Sequence, residues 1–134
     1  MSTDFQTYVN NHLMADLPSG GKLSSAAIIG HDGGVFAQSP DFPEVSTDEM
    51  TSIMDGLDDP NRLAASGIRL GGTKYFLVPS EECDQLRGRH KSGGILIIIK
   101  TITVMIVGIY ESVTAAEAEG LVLDMAEFLK SQGM

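Results

Sequence analysis

The feature that most constrains this chain is an apolar run of 15 residues, from Ile95 to Ile109, interrupted by one lysine and two threonines. A helix that crosses a bilayer needs about 20 apolar residues, so the run is too short to span a membrane. Ile, Val and Thr dominate it, and these β-branched residues favour strands over helices. We therefore predict two buried strands, Ile95 to Ile99 and Ile102 to Tyr110, with a turn near Lys100 and Thr101 that no Gly or Asn marks.

Three other segments carry helix signals. Each has apolar residues three and four positions apart, the pattern of a helix with one buried face. Two of them begin with a capping box, Ser46 to Glu49 and Thr114 to Glu117. The three apolar stripes are Phe5, Tyr8, Val9, His12 and Leu13; Met50, Ile53, Met54 and Leu57; and Ala118, Leu121, Val122, Met125, Phe128 and Leu129.

Short apolar segments between turn residues predict the remaining strands. An Asp-Gly pair, Asp32-Gly33, separates the first two, and this pair is a strong hairpin signal. Strands joined by short turns pair antiparallel, so we predict an α+β fold with a central antiparallel β-sheet, in one domain over residues 1–134. The predicted strands are Ala26 to Ile29, Val35 to Gln38, Ile68 to Leu70, Lys74 to Val78 and Gln85 to Arg87.

Composition excludes several classes of function. The 134 residues carry 18 acidic and 9 basic side chains, and the net charge of −9 argues against nucleic acid as the main partner. The single cysteine, Cys83, excludes an internal disulfide and indicates a reducing compartment. The N-terminus lacks the basic start and apolar centre of a signal peptide, so we expect a cytoplasmic protein.

Catalytic patterns are absent from the sequence. The Gly-Gly pairs form neither a dinucleotide-binding nor a P-loop pattern, and there is no nucleophile elbow. Cys83 lies among Glu81, Glu82 and Asp84, whose charge suppresses thiolate formation. We therefore predict a protein that is not an enzyme and that has no cofactor, catalytic residue or metal site.

Two features of the sequence have two interpretations each, an ordinary structural role and a binding role. The aromatic residues Phe5, Tyr8, Phe36 and Phe128 are either core residues or a shallow groove between the terminal helices, of the kind that binds polyproline II segments. Arg87, Arg89 and Lys91, with His90 among them, form either a solvated loop or a contact for an acidic protein surface or an anionic lipid.

Motifs along the whole chain resemble the profilin family, in its plant or algal form. The resemblance implies a cytoplasmic, cytoskeletal protein whose N- and C-terminal helices pack on one face of the sheet and whose short helices pack on the other. The motifs are His12-Leu13-Met14, Ala26 to Gly30, Asp32-Gly33, Val35 to Ser39, Leu70 to Tyr75, Arg87-Gly88, Ser92 to Gly94, Gly108 to Glu111, Phe128-Leu129 and Gln132-Gly133.

The same resemblance implies binding of monomeric actin, with suppression of spontaneous nucleation, promotion of nucleotide exchange on actin and delivery of actin to filament ends. It also implies binding of proline-rich segments of actin-assembly factors and of phosphoinositide lipids. Carried over by position, the actin-binding residues are Lys74, Leu77, Arg87, Arg89, Val113, Thr114, Glu119 and Asp124. The polyproline-binding residues are Phe5, Tyr8, Phe36, Phe128 and Met134, and the phosphoinositide-binding residues are Lys74, Arg87, Arg89 and Lys91.

The chain departs from this pattern because it has no tryptophan. Phe5 and Phe36 stand where the family has tryptophan, and phenylalanine lacks the indole N–H donor. A lost hydrogen bond costs about 0.5–1.5 kcal/mol, so we expect polyproline affinity to be weaker by about tenfold or more. The net charge predicts weak, salt-sensitive lipid binding. The alternative function is a small α+β adaptor or ligand-sensing domain that has lost actin binding.

Overall fold

Within the residues that the structure describes, seven strands form one antiparallel sheet and three helices lie against it. The computed structural model describes residues 5–13, 21, 23–31, 34–39, 42, 45–59, 67–78, 85–91, 93–111 and 115–134. The helices are α1 (Phe5–Tyr8), which continues as a π-helical segment (Val9–Leu13), α2 (Thr47–Asp58) and α3 (Ala115–Ser131). The strands are β1 (Ser25–Gly30), β2 (Val35–Gln38), β3 (Ile68–Leu70), β4 (Thr73–Val78), β5 (Gln85–Arg89), β6 (Ile95–Lys100) and β7 (Val104–Tyr110). Their order in the sheet is β2-β1-β7-β6-β5-β4-β3.

The apolar run supplies two central strands of this sheet. β6 and β7 pair from Ile95 opposite Tyr110 to Lys100 opposite Met105, and β7 also pairs with β1. The prediction of two buried strands is therefore confirmed. The turn prediction is wrong by two residues, because β7 begins at Val104 rather than at Ile102.

Hydrogen bonds from a distant part of the chain define this turn. The Thr101 hydroxyl donates to the main-chain oxygen of Met134 at 2.8 Å, and the Thr103 hydroxyl donates to the same oxygen at 3.0 Å. The Thr103 N–H also points to this oxygen, and the Thr101 N–H donates to Val104 O at 2.7 Å. The turn thus needs no glycine, because Met134 accepts donors that a tight turn leaves unpaired.

The two faces of the sheet carry separate cores. On the terminal-helix face, α1, the π-helical segment and α3 pack on apolar residues that include Ile28, Ile97 and Ile106. On the α2 face, α2 packs on alternate residues of the same strands, including Ile29, Ile98 and Val107. Because side chains alternate along a strand, strands buried on both faces read as continuous apolar runs. The predicted α+β arrangement is confirmed.

The first capping box is also present, and it fastens α2 to a β-turn. The Ser46 hydroxyl accepts from Glu49 N, and Glu49 Oε1 accepts from Ser46 N. The Glu49 carboxylate accepts two further bonds, from the N–H groups of Gly71 at 3.1 Å and Gly72 at 2.8 Å. Burial opposes ionisation of Glu49, but these main-chain donors outweigh it and hold its pKa below the ordinary value.

Two predicted turn and cap features lie outside the described residues: the Asp32-Gly33 turn and Thr114 of the second capping box. The strands that flank the first of these do pair, with Ile28 opposite Ala37. None of the described helices is both long and apolar enough to span a membrane.

Candidate functional site

An aromatic pair joins the two terminal helices. The rings of Tyr8 in α1 and Phe128 in α3 meet edge to face, with 5.4 Å between their centroids and 83° between their planes. This geometry is one that aromatic pairs favour. Phe128 keeps 42% of its surface exposed although it belongs to the apolar stripe of α3. A flat ring face is therefore available beside Tyr8.

Phe36 and Met134 lie on the elements next to this pair. α1 packs against β2, where the Gln6 amide donates to the main-chain oxygen of Gln38 at 3.0 Å, and Phe36 of β2 is 51% exposed. Met134 packs against the terminal-helix core while its main-chain oxygen is held by the β6–β7 turn. We call Tyr8, Phe36, Phe128 and Met134 the aromatic groove. Phe5 lies in α1, and its side chain is outside what the structure describes.

A second surface lies on the same face of the sheet, at β4 and β5. Register places Phe76 of β4 opposite Arg89 of β5. Lys74, two residues before Phe76, holds its Nζ 5.4 Å from the centroid of the Phe76 ring, which is a cation–π contact. Phe76 is 56% exposed, and Lys74 and Arg89 are exposed as well. We call Lys74, Phe76, Arg87 and Arg89 the strand surface.

Arg87 differs from Arg89 because it is engaged within the chain. Its guanidinium forms an ion pair with Glu119 of α3, and the other oxygen of Glu119 accepts the Tyr110 hydroxyl at 3.0 Å. Burial, together with this hydrogen bond and the charge of Glu119, raises the pKa of Tyr110. The Arg87 Nε is buried and makes no hydrogen bond within the described part of the chain. Arg87 and Glu119 therefore fasten α3 to β5.

The structure brings together only part of the predicted actin-binding set. Lys74, Arg87, Arg89 and Glu119 lie along β4, β5 and the adjoining side of α3. Leu77 packs against the core of the α2 face, because strand alternation turns it away from Lys74. Val113 and Thr114 lie outside the described residues.

Asp124 also lies apart from this set. It is five residues from Glu119, which is about 1.4 helical turns, so the two side chains leave α3 about 140° apart. It lines a cavity with His12 and Phe128 on the groove side of the helix. Asp124 therefore faces a different side of α3 from Glu119, and its part in actin binding stays a prediction.

Three of the four predicted phosphoinositide-binding residues, Arg87, Arg89 and Lys91, are close in sequence, but the four differ in setting. β5 ends at Arg89, and Lys91 lies in the turn that follows, where His90 N–H donates to Gly94 O at 2.7 Å. Lys74 and Arg89 are exposed beside Phe76, while Arg87 is paired with Glu119. Among the residues that the structure describes, no group of three or more His, Cys, Asp or Glu is placed to hold a metal ion.

Sequence reasoning missed Phe76 and Leu123. Alternation in β4 could have revealed Phe76, since Tyr75 is buried on the α2 face and its neighbour must point the other way. Leu123 lines a cleft of about 480 Å³ between α3 and the strands β5 and β6, next to Arg87 and Glu119. Leu123 lies outside the apolar stripe of α3, and a leucine at such a position was the signal that the sequence offered.

Known proteins share the sequence pattern and the fold of this chain. The sequence model of the family described as Profilin matches residues 3–134. Profilin II of Acanthamoeba castellanii is 30% identical, with 96% of this chain and 98% of that chain covered and a TM-score of 0.82. Mouse profilin IIa, solved in complex with a double repeat from the FH1 domain of mDia1, is 18% identical, with 98% and 100% covered and a TM-score of 0.75. The LokiProfilin2/rabbit actin complex gives 21% identity, 98% of each chain and a TM-score of 0.70. At 18% and 21% identity, the last two matches show a shared fold and no more than that.

Proposed function

The chain belongs to the profilin family, and on this premise we propose that it binds monomeric actin and regulates its polymerisation. The proposed activities are suppression of spontaneous nucleation, promotion of nucleotide exchange on actin and delivery of actin to filament ends. In this proposal residues 1–134 act as one domain in the cytoplasm, with a binding role rather than a catalytic one. The plant or algal form of the family stays a prediction.

The observation that carries the actin proposal is the exposed Phe76 between two cations. Phe76 exposes a large aromatic ring, and phenylalanine is enriched in the cores of protein–protein interfaces relative to the rest of the surface. Lys74 and Arg89 flank it on neighbouring strands and add electrostatic complementarity for an acidic partner. The complex of LokiProfilin2 with rabbit actin supports actin as that partner.

A charge reversal tests this proposal. Arg89→Glu changes the net charge by −2 and leaves the Arg87–Glu119 pair intact, whereas reversing Arg87 would place two carboxylates together. We expect Arg89→Glu to weaken binding to fluorescently labelled monomeric actin about tenfold. Lys100→Glu is the matched control, because Lys100 pairs with Met105 and so lies on the α2 face.

The outcome of the actin titration also discriminates between two functions. Saturable binding with suppressed nucleation, weakened by Arg89→Glu and not by Lys100→Glu, supports the actin proposal. No effect of the wild-type protein at concentrations well above that of actin would overturn it. The function would then be that of an adaptor, and the aromatic groove would be its binding site.

We propose that the aromatic groove binds proline-rich segments. The observation behind this second function is the edge-to-face pair of Tyr8 and Phe128, whose exposed faces suit the flat rings of a polyproline II helix. The complex of mouse profilin IIa with FH1 repeats supports this ligand class. Phe36 offers less contact area than tryptophan, so Phe36→Trp should raise affinity for decaproline. Unchanged or lower affinity in that variant would contradict the proposed weakening.

Phosphoinositide binding is proposed for the strand surface as a weak activity. Lys74 and Arg89 are exposed, Lys91 lies nearby in the β5–β6 turn, and Arg87 is held by Glu119. The same cations serve both proposed ligands, so lipid and actin should compete. Cosedimentation with anionic vesicles should show binding at low salt that is lost near 0.15 M salt, where screening acts over about 8 Å. Binding that salt leaves unchanged would contradict this account.

A further inference from the structure

A cavity of about 360 Å³ adjoins the aromatic groove and shares Phe128 with it, and the proposed function gives the cavity itself no ligand. It is lined by His12, Leu121, Asp124, Met125 and Phe128. We propose that this cavity binds the side chain of an arginine that flanks a proline-rich segment seated in the groove. This inference rests on the proposed polyproline binding and adds a charge specificity to it.

The lining matches the chemistry of an arginine side chain. Leu121 and Met125 offer apolar surface to the aliphatic stem, and the exposed ring of Phe128 offers a face on which a guanidinium can stack. Asp124 supplies a carboxylate, which guanidinium groups bind through two parallel hydrogen bonds. Within the described part of the chain, no cation or hydrogen-bond donor pairs with Asp124. The site therefore has an apolar wall, an aromatic face and an uncompensated negative charge.

The cavity is continuous with the groove at one end. Phe128 belongs to both, and its ring contacts Tyr8, whose own ring lies 6.1 Å from that of His12. Asp124 and Leu121 come one and two helical turns before Phe128, whereas Met134 comes after it. A segment along the groove therefore reaches the cavity with only one of its two flanks. The flanking arginine should matter at one end of the proline run and not at the other.

Peptide titrations test this proposal. Decaproline is compared with versions that carry arginine at the N-terminal flank, arginine at the C-terminal flank, or citrulline, the neutral counterpart of arginine, at the same positions. The proteins are wild type, Asp124→Asn and Glu127→Gln. Glu127→Gln is the matched control, because it removes one negative charge from the exposed side of the same helix, one turn from Asp124.

We expect wild type to bind one of the two arginine peptides about five- to tenfold more tightly than its citrulline counterpart. Asp124→Asn should remove this preference and leave affinity for unflanked decaproline unchanged, while Glu127→Gln should keep the preference. The charge-swapped variant Asp124→Arg should instead prefer a peptide with glutamate at that flank.

Each contrary result has a distinct meaning. Equal affinity for the arginine and citrulline peptides, with decaproline still bound, would overturn the cavity proposal and leave the groove proposal standing. A preference that survives in Asp124→Asn, or that Glu127→Gln also removes, would assign the effect to the overall negative charge and overturn the cavity proposal. If wild type bound no peptide, including decaproline, both proposals would fall.

Discussion

Gly108 of β7 lies directly beneath α3, and an alanine there should push the helix away from the sheet. A Cβ atom built at Gly108 would lie 2.9 Å from Cγ2 of Val122 in α3, and 3.5 Å from methyl groups of Ile97 and Leu23. Ordinary carbon contacts begin near about 3.5 Å, so helix and sheet must separate by roughly 0.6 Å or Val122 must leave its rotamer. Valine has one strongly preferred rotamer in a helix, which makes the second route costly.

The expected cost follows from two opposing effects. Overpacking of this kind destabilises by about 1–3 kcal/mol, while replacing glycine in a strand regains about 0.5–1 kcal/mol of backbone entropy. Gly108→Ala should therefore lower the free energy of unfolding by about 1–2 kcal/mol. Urea unfolding measures this change, and the dependence of the free energy on urea concentration should stay as in wild type. Gly120→Ala is the control, because nothing lies within 4 Å of its Cβ position and alanine favours the helix by up to about 1 kcal/mol.

A double variant tests whether the contact with Val122 is the cause. Val122→Ala removes the methyl group that the new Cβ meets, so the cost of Gly108→Ala should shrink in that background. Two variants whose costs simply add would refute this reasoning, and so would a Gly108→Ala protein as stable as wild type. Stabilisation by Gly108→Ala equal to that by Gly120→Ala would show that α3 tolerates the added methyl group.

Two further predictions concern the contacts that fasten the turns. Glu49→Gln should cost about 1 kcal/mol at pH 7, because its carboxylate accepts the N–H groups of Gly71 and Gly72. The pKa of Glu49 in the folded protein lies below its ordinary value of 4.5, so the stability difference between wild type and Glu49→Gln should be full above pH 4.5 and vanish as pH falls through the folded pKa. Urea unfolding between pH 3 and 7 measures this difference. A difference that does not change with pH would contradict the argument. Thr101→Val should lower the free energy of unfolding by about 1–2 kcal/mol, because the buried hydroxyl donates to Met134 O. Thr103→Val, at an exposed position, should cost less than half as much by the same measurement. Equal costs would show that Thr101 is not the main contact that holds Met134.

Local signals explain why most of the fold could be predicted from the sequence. The capping box of α2 and the strand Val35 to Gln38 depend on residues within a few positions of each other, and both are present. The β6–β7 turn was misplaced because its geometry depends on Met134, 33 positions away from Thr101. A pattern of neighbouring residues carries no information about such a partner.

The candidate surfaces were harder to predict because each depends on which side of a helix or strand a side chain faces and on which partner it meets there. Phe128 fits the apolar stripe of α3, yet it lies at the edge of that stripe and faces the groove. Arg87 and Arg89 share a strand face, but only the structure shows that Glu119 takes up the charge of Arg87. Helical geometry alone separates Asp124 from Glu119, so this division could have been predicted.

α3 fixes the relation between the two proposed surfaces. Glu119 and Phe128 are nine residues apart, which is 2.5 helical turns, so they leave the helix on opposite sides. We therefore expect a partner on the strand surface to leave the aromatic groove exposed, so that one molecule binds actin and a proline-rich segment together. α3 carries Phe128 of the aromatic groove and holds Arg87 of the strand surface through Glu119, so a shift of α3 in Gly108→Ala should weaken both ligands together. Arg89→Glu should weaken actin binding and leave binding of the proline-rich segment unchanged, since Arg89 lies on β5 and not on the helix.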